Sequence, residues 1–126
     1  MRFRFFGKIS TTARQVLPGG EWVALEKVHG AQLIVGFDQN THTGYIGKRK
    51  EWLEDQDDFF GWQLLAPELI NSVSRWAQEL GAQQLIAYGE LFGGGYPHPE
   101  VSPVPGMSPI QTGIWYHPGL QWSPFD

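Results

Sequence analysis

Cysteine is absent from this 126-residue chain, which excludes disulfides and thiolate metal sites. Long apolar runs are absent too: no stretch approaches the roughly 18 residues of a membrane-spanning helix. The opening Met1-Arg2-Phe3-Arg4-Phe5-Phe6 lacks both the apolar core and the cleavage site of a secretory signal. A cytoplasmic protein with no membrane partner is the expectation. Metal-binding histidine spacing is likewise missing, since His42, His98 and His117 have no HExxH-like relation and read as loop residues. Basic residues are scarce beyond residue 50. There Arg75 stands alone against ten acids, whereas residues 1–50 carry eight Lys/Arg and three acids. The net charge of −4 thus divides into +5 and −9. Two origins fit this split: a basic half facing phosphates, or chance surface composition.

What is present argues for one folded domain. Hydrophobic residues make up 41% and aromatics 14%, well above the composition of disordered chains, and the length leaves no room for two cores. No internal repeat or low-complexity segment interrupts it. The pattern is strand-rich with one clear helix. Trp22 to Val28, following the turn signal Pro18-Gly19-Gly20, reads as a strand. Gln32 to Phe37 reads as a second and Gly44 to Arg49 as a third, joined by the polar turn Asp38-Gln39-Asn40-Thr41 into an antiparallel meander. Leu69, Val73, Trp76 and Leu80 recur at helical spacing within Pro67 to Leu80. Pro67 suits the first turn and Gly81 the left-handed position past the end. Leu85 to Glu90 reads as a largely buried strand. Phe92 to Pro109 is too rich in Gly and Pro for helix or central strand, and Ile114 to His117 and Gln121 to Asp126 read as two last strands.

Lys27 is the residue with most chemical promise. It closes the first strand pattern and is followed by His29-Gly30. A lysine amine becomes a nucleophile when apolar surroundings or a nearby cation lower its pKa, and a glycine lets backbone approach a ligand closely. The same pattern also describes an edge-strand lysine pointing into water. Spacing alone does not separate the two.

Five segments taken in order carry a resemblance to a known family. Glu21-Trp22-Val23-Ala24-Leu25-Glu26-Lys27-Val28-His29-Gly30 resembles nucleotidyltransferase motif I of the ATP-dependent, double-strand-sealing RNA ligases, a group that includes the RNA-editing ligases. Their motif I reads Lys-x-His-Gly. Lys48-Arg49 resembles motif Ia, and Asp58-Phe59-Phe60-Gly61 resembles the Phe-Phe-Gly segment. Tyr88 to Gly94 is similar to motif III, and Trp122-Ser123-Pro124-Phe125-Asp126 to motif IIIa. Together they cover residues 20–126.

The resemblance implies an α+β fold: an ATP-grasp-like covalent nucleotidyltransferase domain, here residues 1–126 as a part of it. It also implies ATP and Mg²⁺ as cofactors and RNA, as nicked duplex or free ends, as partner. Lys27 would attack the α-phosphorus of ATP to form a lysyl–AMP, with His29 orienting and Arg49 assisting at the phosphates. Glu26, Lys27, Glu90 and Phe125 would contact the nucleotide, Glu90 at the ribose hydroxyls and Phe125 stacked on adenine. Glu90 could instead hold a structural or metal-linked water, and Phe125 could simply pack in the core. Arg49 and Phe60 would touch the RNA, although one of Phe59 and Phe60 is expected to be structural. Asp126 would support the lysine or a metal.

Two departures bear on activity. Gln32 stands where the family has Asn, moving an amide by one methylene. Motifs IV and V do not occur in the 126 residues, so the polypeptide by itself is expected not to seal RNA, to expose sheet edges, and to require a separately encoded C-terminal portion. A non-catalytic nucleotide- or RNA-binding remnant is the alternative reading.

Overall fold

The computed structural model describes residues 1–7, Glu21 and residues 26–126. β1 (Ala31–Asp38) is the centre of the fold because nothing between Gln32 and Asp38 is polar: residues 33–38 are all buried. A strand buried on both faces needs cover on both. β2 (Thr43–Lys48) returns beside it through a turn that the Asp38 carboxylate closes, accepting the Asn40 N–H at 2.9 Å and the Thr41 N–H at 3.4 Å. β3 (Glu51–Trp52) adds two residues at the outer edge. The chain passes a short 3₁₀ turn at Trp62–Leu64 and enters α1 (Ala66–Glu79), then β4 (Gln84–Gly93) and β5 (Leu120–Pro124). All pairings are antiparallel, in the order β3-β2-β1-β4-β5. The result is an α+β arrangement of mainly antiparallel sheet and one α-helix.

α1 begins with Pro67 and Glu68 in its first turn and stops where the sequence signal lies. Gly81 takes φ +62°, its N–H donates to the Gln78 carbonyl (3.1 Å), and the Ala82 N–H donates to Ala77 (2.9 Å). The helix lays Val73 and Ala77 onto the odd-numbered side chains of β1 and β4, Leu33, Val35 and Phe37 with Leu85, Ala87 and Leu91. Residues 1–6 cross the opposite face. The Met1 amino group donates to the Tyr45 hydroxyl (3.0 Å), the Phe3 ring stands edge-on to Trp52 (5.1 Å), and the Tyr88 hydroxyl donates to the Arg4 carbonyl (2.8 Å). Gly36 and Gly47 make room for this layer, since a Cβ at either would collide with Trp52.

Several expectations change here. Residues 22–25 of the first expected strand lie outside the described residues, and Glu26 to His29 are not in a strand. The observed meander is instead β1-β2-β3. Ile114 to His117 form no strand. They belong to the connection 94–119, and Ile114 and Trp115 are exposed, because the available edge of β4 is filled by β5. β4 runs on through Gly93, beyond the point where glycine was expected to end it. Its burial alternates rather than being continuous. Among the described residues no helix is long and apolar enough to cross a membrane.

Candidate functional site

A groove of about 1160 Å³ opens on the rim where β1 begins, β2 turns into β3, and β4 approaches its end. Its floor comes from Gly30, Ala31, Gln32 and Glu90; one wall is the run Lys48 to Glu51. Lys27 enters from the segment before β1. Phe59 and Phe125 supply aromatic surface, and Phe5 to Gly7 form a further border.

The register explains the floor. Gln32 and Glu90 are direct partners across β1 and β4, and both fall on the even-numbered face, away from α1. Gly30 lies so close to the Leu91 carbonyl that a Cβ would overlap it, so only glycine fits this approach. Glu90 is half-buried, and burial pushes its carboxyl above the ordinary carboxylate value. A hydrogen bond to the Gly30 backbone and the charges of Lys27 and His29 work against that rise without cancelling it. On the opposite wall the Lys48 ammonium pairs with Glu51 at 2.9 Å, a bond that raises its pKa. Arg49 and Lys50 stand exposed beside it.

The expected site residues are therefore brought together unevenly. Lys27, Arg49, Glu90 and Phe125 all line the groove. Phe125 is 50% exposed, its N–H held by the Tyr88 carbonyl (2.8 Å) and its ring edge-on to Phe6 at 5.3 Å. Glu26 and His29 are exposed and do not line it; the His29 backbone N–H instead donates to the Tyr116 hydroxyl at 3.1 Å. Of the paired phenylalanines, Phe59 reaches the groove. Phe60, at φ +62°, does not line it, and its carbonyl accepts the Ser108 N–H (3.1 Å). Asp126 stays outside, where its charge helps burial raise the Tyr88 phenol. No trio of His, Asp and Glu among the described residues could hold a metal ion.

This collection is an open groove with cations on one wall, a carboxylate on the floor and exposed aromatic rings. Comparison with known proteins bears on what it is for. RNA-editing ligase 2, mitochondrial, of Trypanosoma brucei brucei (strain 927/4 GUTat10.1) is 32% identical over 84% of this chain and 30% of its own length. RNA-editing ligase 1, mitochondrial, of Trypanosoma brucei brucei is 32% identical over 75% of this chain and 22% of its own length. The chain is a homologue of the RNA-editing ligases. It spans less than a third of the length of those curated relatives. No protein-family model matches it.

For this RNA-editing ligase relative, residues that sequence reasoning passed over are also in the groove. Lys50, Glu51, Phe5 and Phe6 line it without belonging to any motif. Lys50 and Glu51 could have been found from Lys48-Arg49, because a tight turn carries its neighbours to the same rim. Phe5 and Phe6 carried no such signal; only tertiary packing brings residues 1–7 there.

Proposed function

We propose that this chain contributes the ATP-facing part of an RNA ligase adenylylation site, with Lys27 as nucleophile. The observation that supports this reading is the gathering of Lys27, Arg49, Glu90 and Phe125 around one groove, from four segments far apart in sequence. In this reading the Lys27 amine attacks the α-phosphorus of ATP, a P–N bond forms, and pyrophosphate leaves. Glu90 accepts hydrogen bonds from the ribose hydroxyls, and Phe125 and Phe59 offer ring faces to the base. Lys48, Arg49 and Lys50 face the phosphate chain, where cationic groups offset the charge of the reacting centre. Since the described residues form no metal cage, Mg²⁺ would arrive on the ATP phosphates, as it commonly does. AMP transfer to an RNA 5′-phosphate and sealing by a 3′-hydroxyl would be acts of the whole ligase. That ligase would be completed by a C-terminal portion carrying motifs IV and V, and the cytoplasm is the proposed compartment.

The test is displacement of a fluorescent ATP analogue from the full chain, with mass spectrometry for a lysyl–AMP adduct. Phe125→Ala is expected to weaken nucleotide binding by about 1–3 kcal/mol. Lys27→Ala should keep measurable binding while removing any adduct. Absence of ATP binding by the parent chain, or an adduct on a lysine other than Lys27, would sink the reading. A second reading, nucleotide binding without covalent chemistry, is favoured by the exposure of Lys27, which lacks the apolar enclosure that activates a lysine amine. The same mass measurement separates the two.

A further inference from the structure

Residues 1–6 divide between sheet and solvent in a way the nucleotide reading does not use. Phe3 and Phe6 turn onto the sheet, against Trp52 (5.1 Å) and Tyr88 (5.2 Å), while Arg2, Arg4 and Phe5 face solvent. Phe5 is 75% exposed. One open ring is ordinary on a protein surface, but this one lies at the border of the groove rather than on a flat surface. The backbone beneath the two arginines is tied down by the Tyr88 hydroxyl on the Arg4 carbonyl at 2.8 Å and by the Met1–Tyr45 bond at 3.0 Å. Cations presented from a fixed backbone lose less entropy on binding than those of a loose tail. Among the described residues neither guanidinium has a carboxylate in salt-bridge distance.

We propose that Arg2, Arg4 and Phe5 form a contact for single-stranded RNA, the arginines taking backbone phosphates and Phe5 stacking on a base as the strand enters the groove. Exposed cations followed by an open ring match how sequence-tolerant strand binding works: charge tracks the backbone, and a π-face accepts any base. The concave site favours a strand over a membrane, because a lipid surface cannot follow Phe5 into a groove whose far wall is Lys48, Arg49 and Lys50. The proposal rests on the ligase reading for the identity of the polyanion, but its test does not.

Fluorescence anisotropy of a short fluorescein-labelled oligouridylate, titrated with the full chain over a range of salt, reads it directly. The slope of log K against log salt should shrink by about 0.7 for each of Arg2→Ala and Arg4→Ala. The double Lys replacement, R2K/R4K, should restore the slope. Phe5→Ala should weaken binding at least about fivefold with the slope kept, and Phe5→Trp should recover it. ATP-analogue displacement is followed in the same arginine variants and is expected to be unchanged. Loss of ATP binding by the parent chain, with the arginine effect intact, overturns the nucleotide reading and leaves this one standing. An unchanged salt slope in the double alanine variant overturns this one. So does a drop in binding of that same variant to phosphatidylserine-containing vesicles while its RNA binding is unaltered.

Discussion

Glu90 shows how a single side chain can be arranged for binding at a cost to the free protein. Its carboxyl is raised by burial, so the folded state binds a proton more readily than the unfolded chain does. Between the ordinary carboxyl value of 4.5 and the raised folded value, the native state holds more protons, and stability falls as pH rises through that window. Below both values the penalty is absent. Glu90→Gln removes the charge but keeps an acceptor. Its melting temperature should exceed that of the parent at neutral pH and converge with it in acid, while ATP affinity drops. Thermal melts across pH settle the stability part: coincident curves at neutral pH would remove the claim of a burial penalty. Asp38 is the counter-case. Burial acts to raise it, but hydrogen bonds from Gln84, Asn40 and Thr41 win and hold it below the ordinary 3.8, so its contribution is present above that value and lost as pH falls through the lowered one.

At the scale of elements, the connection 94–119 does more than span β4 and β5. The Ser108 N–H donates to Phe60, the Ile110 N–H to Gly93 (3.2 Å), and the Tyr116 hydroxyl accepts from His29 while its ring stands edge-on to Phe92 at 5.5 Å. One loop thereby touches the Phe59-Phe60 turn, the end of β4 and the segment that carries Lys27. Tyr116→Phe keeps the ring contact and deletes the acceptor, a loss of about 0.5–1.5 kcal/mol at that contact. Amide exchange is expected to quicken over residues 26–30 and not in β4; uniform or unchanged exchange would count against the tether. This element also marks where sequence reading stopped. α1 and the central strands are legible because their apolar spacing answers directly to what covers them, the helix to the sheet and β1 to a layer on each face. Ile114-Trp115-Tyr116 looked like a strand by composition, but a strand needs an unpaired edge to join, and composition does not report which edges are taken. β3 was invisible for the opposite reason: two residues are too few to show a period.

For the whole molecule, β1 is the shared core of both layers. Leu33 and Val35 serve the helix side, while Ile34 and Gly36 serve the side covered by residues 1–6, and all are buried. Leu33→Ala should cost about 2–5 kcal/mol, read as a lower urea midpoint with an unchanged slope. A variant that unfolds in two steps would show that the layers are separate cooperative units. The same dependence explains which site residues could be read early. Lys27, Arg49, Glu90 and Phe125 sit in segments with a family resemblance, and the sheet brings those segments to one rim. Phe5, Phe6 and Tyr116 arrive by packing across the sheet or around its edge, and no local pattern announces such a route.

Glu90 has a glycine before it in β4 and another across the groove floor, and neither position has space for a methyl group. Gly89 is filled by the Trp122 indole, and Gly30 by the Leu91 carbonyl. Random substitutions at Gly30 and Gly89 would return few folded clones. Under the proposed nucleotide reading, a change of ligand would run through the aromatic and basic walls, Phe59, Phe125 and Lys48 to Lys50. The floor is sterically fixed at its glycines, and the walls are where side chains can be exchanged.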